Sequence, residues 1–273
     1  KEYTGTYGTN GFHLAMDPAE SNPFGHDSSG NGNDWTASGL SSAAGAGNDL
    51  LADIPGAPYD NGLDGGGNYC TLNTLDTNLP TINNGNLNTG TAGASAWKLA
   101  KGTIGVSSGQ WYWEGVCEGG TTSGSSGYQF GVMLTSLLPT GGPYQTGCYS
   151  SQEAVVYQAG TTTAINDATL TTNAWALDLD ANTLKFYRAG VLEHTYTSVP
   201  AGTYTPFGGS YGSSLSVTFN FGQRAFEYTP PTGYKALNTF NLPDPTIDDP
   251  SLYFDVATDT GANILSAATG LTD

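Results

Sequence analysis

The sequence predicts an all-β protein built on a two-sheet antiparallel β-sandwich of the jelly-roll kind, with extended arms at both ends. Between Trp97 and Phe226, apolar and polar residues alternate with a period of two, and Gly, Asn, Asp or Ser interrupts each run. This pattern indicates half-buried strands joined by turns. Aromatic residues make up 11% of the chain and supply large apolar groups to these runs. Two such apolar faces, stacked about 10 Å apart, make a sandwich core.

Individual runs define the predicted strands and turns. Trp111, Trp113 and Cys117 share one face of the first clear strand. Later runs place further apolar residues on common faces: Trp175, Leu177 and Leu179; Leu184 and Phe186; Leu215, Val217, Phe219 and Phe221. Residues 180–182 separate two of these runs, and their Asp and Asn favour a hairpin turn.

These runs resemble the SPRY (B30.2/SPRY-like) family. The shared motifs are, in order, Gly-Gln-Trp-Tyr-Trp-Glu at 109–114, Tyr-Gln-Phe-Gly-Val-Met at 128–133, Leu-Asp-Leu-Asp-Ala-Asn-Thr-Leu-Lys-Phe-Tyr-Arg-Ala-Gly at 177–190 and Phe-Asn-Phe-Gly-Gln-Arg-Ala-Phe at 219–226. The resemblance implies a bent, concanavalin-like sandwich with ligand-binding loops and no catalytic apparatus. Ala189 stands where the family usually has Asn before a Gly, which affects a turn.

Three parts are expected along the chain. Residues 1–65 form an N-terminal arm or partial lectin-like β unit, because the stretch 27–35 resembles the opening of laminin-G-like and concanavalin-like modules. Residues 66–238 form the SPRY-like sandwich, which the Pro- and Gly-rich linker before it separates from the arm. Residues 239–273 are a C-terminal strap or the start of a following module.

The stretch that begins at Asp27 also has a possible metal-binding role. The first, third, fifth and sixth positions of an EF-hand loop are matched by Asp27, Ser29, Asn31 and Gly32, but Ser38 occupies the twelfth position, where that loop requires Glu. Two interpretations therefore stay open. Either this is a tight polar turn, or Asp27, Asn33 and Asp34 hold Ca²⁺ in another arrangement.

The charge of the chain excludes several partners. The formal net charge is −17, and Lys and Arg together number 7. Nucleic-acid binding needs clustered cations, and so does binding to anionic lipid. No apolar run reaches the length of a membrane span, and no signal-peptide pattern opens the chain. We expect no nucleic-acid partner and no membrane insertion. The start at Lys1 suggests a processed chain or a segment of a longer one.

Cys70, Cys117 and Cys148 lack the spacing of a metal site. They are either small core residues, or two of them form a disulfide. Their number is odd, so at least one thiol is free.

No catalytic constellation emerges, and we expect a protein that is not an enzyme. The Gly-x-Ser-x-Gly match at 208–212 precedes a strand where a nucleophile elbow requires a helix. Glu114 and Glu118 lie on one strand face, roughly 13 Å apart, which is too far for a close catalytic pair, and both are expected to be exposed. His194 is expected on a strand surface.

Two predicted loops, 118–127 and 135–153, are candidates for ligand binding. Tyr144, Tyr149 and Tyr157 would present an aromatic contact surface there, since tyrosine combines rigid area with a hydroxyl. The alternative is that these rings only brace the loop.

The two ends of the chain carry apolar residues that need a partner surface. We predict that neighbouring subunits bury them, and the assembly residues are Tyr3, Tyr7, Phe12, Phe254 and Ile264.

Together these features resemble tail-fibre or virion-surface proteins of bacteriophages. The expected function is a non-enzymatic structural and adhesion protein at the virion surface or another extracellular location. It would assemble with other virion subunits, as a homo-oligomer, and bind a host-surface glycan or protein. Two alternatives stay open: a capsid- or filament-decorating assembly protein, and a secreted carbohydrate-binding module.

Overall fold

The computed structural model describes most of the chain up to residue 243. The described residues are 4–17, 19–43, 49–50, 68–76, 79–90, 97–119, 127–138, 145–152, 155–165, 171–211 and 215–243. Residues 1–241 form one compact unit, and Leu242–Asp273 belong to a second. In the described ranges, no helix is long and apolar enough to cross a membrane.

The secondary structure of the described residues consists of twelve strands and their turns. The strands are β1 Trp97–Lys101, β2 Gln110–Gly119, β3 Gly127–Leu134, β4 Cys148–Gln152, β5 Val155–Gln158, β6 Thr161–Ala164, β7 Thr172–Asp178, β8 Thr183–Arg188, β9 Val191–Thr197, β10 Tyr204–Tyr211, β11 Leu215–Asn220 and β12 Lys235–Ala236. This all-β composition confirms the predicted fold class.

The strands form two sheets. One has the order β1-β10-β3-β4-β5-β6, and the other has the order β11-β2-β7-β8-β9. Neighbouring strands along each of these orders are antiparallel. The short strand β12 runs parallel to β2 and continues the edge that β11 begins, because β11 pairs with 114–119 and β12 with 111–112.

The two sheets meet face to face around Phe130 of β3. Its ring lies 5.3 Å from Phe219 of β11 and 6.4 Å from Trp175 of β7, centroid to centroid. Glycine at position 208 of β10 lets the Phe219 ring approach the first sheet, since a Cβ there would lie 2.5 Å from that ring. All the apolar residues predicted to share strand faces are buried, which confirms the predicted β-sandwich core.

The predicted hairpin turn at 180–182 is also confirmed. The carboxylate of Asp178 accepts hydrogen bonds from the N–H groups of Asp180 and Ala181, and Asn182 has a φ of 53°. Asn tolerates this left-handed conformation better than most residues.

The prediction of half-buried strands is wrong for β2 and β7, which are buried on both faces. Their outer face is covered by residues 226–236, which we call the C-terminal cover. Tyr112 of β2 packs there against Tyr234 and, edge to face at 4.9 Å, against Phe226. The extended lead-out after the last long strand therefore forms a third layer.

The predicted loop 135–153 is also too long. Residues 148–152 form β4, in the middle of the first sheet. Of the predicted loop 118–127, residues 118–119 belong to β2, residue 127 begins β3, and 120–126 lie outside the described residues.

Candidate recognition surfaces

Two of the three candidate binding tyrosines, Tyr149 and Tyr157, lie in neighbouring strands of the first sheet, and Tyr196 of the other sheet contacts the ring of the former and the backbone of the latter. The hydroxyl of Tyr196 in β9 donates to the backbone carbonyl of Tyr157 in β5, at 3.0 Å. The ring of Tyr149 in β4 lies edge to face against Tyr196, at 5.0 Å. We call Tyr149, Tyr157 and Tyr196 the tyrosine end. Tyr144 lies outside the described residues.

Tyr149 cannot present its ring to a ligand, and its prediction as a loop contact residue is wrong. It is 1% exposed, because the alternation of β4 turns its side chain towards the other sheet. Burial also raises the pKa of its phenol. The alternative interpretation, that such a ring braces the structure, describes Tyr149.

Tyr157 remains a candidate contact residue. It is half-buried, and its partners in the neighbouring strands are Ser150 and Thr162. Thr162 belongs to β6, whose four residues are all exposed. Cross-strand partners lie close enough for their side chains to touch. This part of the tyrosine end therefore combines an aromatic ring with exposed hydroxyl groups.

His194 is adjacent to the tyrosine end on β9. Its ring lies 4.4 Å from that of Tyr196, and burial lowers its pKa. The imidazole is therefore only partly exposed, and it packs against an aromatic ring of the core.

The stretch 27–34, which we call the Asp27 loop, forms a polar turn. The carboxylate of Asp27 accepts hydrogen bonds from the backbone N–H groups of His13, Ser29 and Asn33, each at 2.9 Å. The carboxylate of Asp34 accepts from the N–H of Asp27 at 2.8 Å. Two of the three predicted calcium ligands thus use carboxylate oxygens to hold the backbone.

Amide side chains complete the same turn. Asn33 donates to the carbonyls of Thr9 and Gly11, and Asn31 donates to Gly8 and Gly11, over distances of 2.6–3.0 Å. Among the residues that the structure describes, no group of three or more His, Cys, Asp or Glu side chains could hold a metal ion.

The hydrogen bonds of the Asp27 loop also change its acidity. Burial alone would raise the pKa of the Asp27 carboxyl, but the bonds from Ser29, His13 and Asn33 outweigh it and lower the pKa well below its usual range. A carboxylate that accepts several N–H bonds is stabilised in its charged form.

Two aromatic rings lie beside the Asp27 loop in the N-terminal segment. Phe12 and Trp35 lie 4.8 Å apart at an angle of 54°, and they are 41% and 53% exposed. Phe12 is one of the predicted assembly residues, whereas Trp35 was missed because it closes a polar motif. Tyr7 is half-buried and stacks on His13. Tyr3, Phe254 and Ile264 lie outside the described residues.

Glu114 is buried, so the expectation that it lies exposed on its strand is wrong. It is 1% exposed, on the outer face of β2 under the C-terminal cover. Its carboxylate accepts from the N–H groups of Glu227 and Tyr228, both at 2.8 Å, and from the hydroxyl of Tyr112. Burial raises its pKa, against the opposing effect of these bonds. Glu114 thus anchors the cover.

The cysteines are all free and buried, which confirms the core interpretation and shows that the disulfide alternative is wrong. Burial raises the pKa of the Cys70 thiol to about 11 and that of Cys148 to about 12. Neither forms the reactive thiolate near neutral pH.

Comparison with known proteins gives structural likenesses only. No family model matches the chain, and no curated protein sequence is similar to it. The TRIM65 PSpry domain is similar over 56% of this chain and 92% of its own, with 14% identity and a TM-score of 0.44. The SPRY domain of human HERC1 is similar over 51% and 90%, with 19% identity and a TM-score of 0.43.

Stonustoxin is similar over 56% of this chain and 27% of its own, with 18% identity and a TM-score of 0.40. Two of these three structures are SPRY domains, the family that the sequence motifs resemble. The two-sheet architecture itself rests on the strand pairing described above.

Proposed function

We propose that this protein is a non-enzymatic structural and adhesion protein of a bacteriophage virion, in a tail fibre or at the virion surface. The observation that carries the proposal is the uneven distribution of apolar surface. Of the nine large apolar side chains that are exposed among the described residues, four lie within residues 12–40, at 41–53% exposure, while the tryptophans of β2 and β7 are at most 2% exposed. Exposed apolar groups concentrated in one segment mark docking sites.

The N-terminal segment, residues 4–43, would dock onto another virion subunit. Its backbone is held by the Asp27 loop, so the exposed rings of Phe12 and Trp35 keep a defined position. A preformed surface loses less conformational entropy when it binds than a disordered one does. Homo-oligomerisation would use other surfaces as well, among them the predicted residues Phe254 and Ile264.

The tyrosine end would bind the host-surface glycan or protein. Tyr157 offers a half-buried ring, and β6 offers exposed threonine hydroxyls. Amphipathic aromatic rings beside small polar groups are typical of adaptable recognition surfaces. The low charge of the chain, 11% Asp, Glu, Lys and Arg, suits a neutral ligand such as a glycan.

The test combines light scattering, which measures the oligomeric state, with binding to an array of bacterial surface polysaccharides. We expect glycan binding that Tyr157→Ala weakens and that Leu75→Ala, a change at an exposed position outside the tyrosine end, leaves intact. An oligomer that binds no glycan would favour the decorating protein. A monomer whose melting temperature rises with glycan would favour the secreted carbohydrate-binding module.

A further inference from the structure

We infer that the aromatic pair Phe12–Trp35 binds a cationic segment of a partner protein, one that presents Arg or Lys side chains, and not a second copy of this chain. The inference rests on the proposed function and deepens it, because it gives the chemistry of the subunit onto which the N-terminal segment docks.

The aromatic pair leaves ring surface exposed to solvent. Its rings are 4.8 Å apart and tilted by 54°, so the faces are not stacked on one another. Trp35 is 53% exposed. Among the aromatic side chains, Trp binds Arg and Lys most strongly through its ring face.

Hydrogen bonds hold the backbone of Trp35 in place. The N–H of Trp35 donates to the carbonyl of Gly25 at 2.7 Å, and the amide of Asn22 donates to the Trp35 carbonyl at 3.0 Å. A Cβ on Gly25 would lie 2.0 Å from that carbonyl oxygen, so glycine is required for this approach. The backbone that carries the indole is therefore preorganised.

The charge of the surroundings selects the occupant. Residues 2–97 contain no Lys or Arg. Asp34, the neighbour of Trp35 in the chain, and Glu20 lie on either side of His26, 3.6 and 3.8 Å from its ring nitrogens, and both carboxylate side chains are at least 42% exposed. Both carboxylates belong to the same segment as Trp35, so they add negative potential that favours a cation over an anion at this surface.

A second copy would bring the same carboxylates to the interface. Like charges that meet across an interface disfavour binding, and the whole chain carries a net charge of −17. Charge complementarity therefore favours a basic partner over self-association at this surface.

The experiment is a calorimetric titration of the full chain with a tetra-arginine amide. Tetra-citrulline amide, which has nearly the same shape without the charge, serves as the matched probe. We expect binding of the arginine peptide only, and weaker binding as salt is added. Trp35→Ala should weaken it roughly twofold to thirtyfold, and Glu20→Gln should weaken it less. Leu192→Ala, at a position 48% exposed on β9, is the control and should change nothing.

Three outcomes would overturn the inference. Equal binding of both peptides would show that charge is not selected. Undiminished binding by a Trp35→Ala variant with an unchanged melting temperature would place the cation elsewhere. Self-association that Trp35→Ala abolishes would make a second copy the occupant. None of these readouts depends on glycan binding, so failure here is distinguishable from failure of the proposed function.

Discussion

The sandwich and the Asp27 loop are held together by opposite means. At the centre of the sandwich, Phe130 packs against Trp175 and Phe219, and burial of apolar surface supplies the stability. In the Asp27 loop, one carboxylate accepts hydrogen bonds from three backbone N–H groups, and the two aromatic rings beside the loop are 41% and 53% exposed. This difference between apolar packing and backbone hydrogen bonding shows how one chain orders both a buried interior and a surface whose side chains stay exposed. Apolar packing excludes a ligand, whereas polar bonding of the backbone leaves side chains available to one.

The largest expected effect is at the centre of the sandwich. Phe130→Ala should lower the free energy of unfolding by about 3–5 kcal/mol, through lost apolar burial and the cavity left behind. Chemical denaturation measures this change. Leu192→Ala, on the exposed edge strand β9, should stay within about 0.5 kcal/mol. Similar losses from both would mean that the sheets are not packed around Phe130.

A smaller loss should follow from filling the space between the sheets. Gly208→Ala places a methyl group 2.5 Å from the Phe219 ring, which must then shift. Overpacking of this kind costs about 1–3 kcal/mol. The double variant Gly208→Ala, Phe219→Leu should lose less free energy of unfolding than the sum of the losses of the two single variants. Strictly additive losses, measured by chemical denaturation, would contradict direct contact between positions 208 and 219.

Two carboxylates, that of Glu114 in the sandwich and that of Asp27 in the Asp27 loop, should give stability contributions that change with pH in opposite directions. The pKa of Glu114 is raised in the folded state, above the value of about 4.3 for an unfolded Glu. Its contribution to stability is therefore fully present below that value and is lost as pH rises through the folded pKa. Glu114→Gln should flatten this part of the stability profile, as measured by denaturation across pH 4–8. An unchanged profile would assign the slope to other groups.

The smallest effect on global stability is expected at Asp27. Its pKa is lowered, so its contribution is present above the unfolded value of about 3.9 and is lost as pH falls through the folded pKa. Asp27→Ala should speed amide hydrogen exchange at His13, Ser29 and Asn33 while the amides of the sandwich keep their protection. Faster exchange throughout the sandwich would show that the two regions unfold as one.

The sequence predicted those parts of the fold that depend on local pattern. Strict alternation identified the buried faces of β7, β8 and β11, and Asp and Asn identified the 180–182 turn. β4 was missed because its Ser-Ser pair follows a Gly- and Pro-rich stretch and lacks apolar alternation. Tyr149 was misplaced for the same reason.

The candidate surfaces were less predictable because they depend on distant contacts. The burial of Glu114 is produced by N–H groups 113 and 114 residues later in the chain. No local pattern carries that information. The exposure of Trp35 was equally hidden, since an aromatic residue after a polar turn is compatible with either burial or display.

The parallel pairing of β12 with β2 has a consequence for synthesis on the ribosome. β1 pairs with β10, and β2 pairs with both β11 and β12. The first strands of the sandwich to be synthesised therefore gain these partners only after the last strands have been synthesised. Until residue 236 emerges, a nascent chain holds strands whose edges have no partner, and such edges invite pairing with other chains. Long-range pairing of this kind also folds slowly. Production of this protein in cells should therefore depend on chaperones that shield incomplete sheets, and fragments that stop short of the last strand should aggregate.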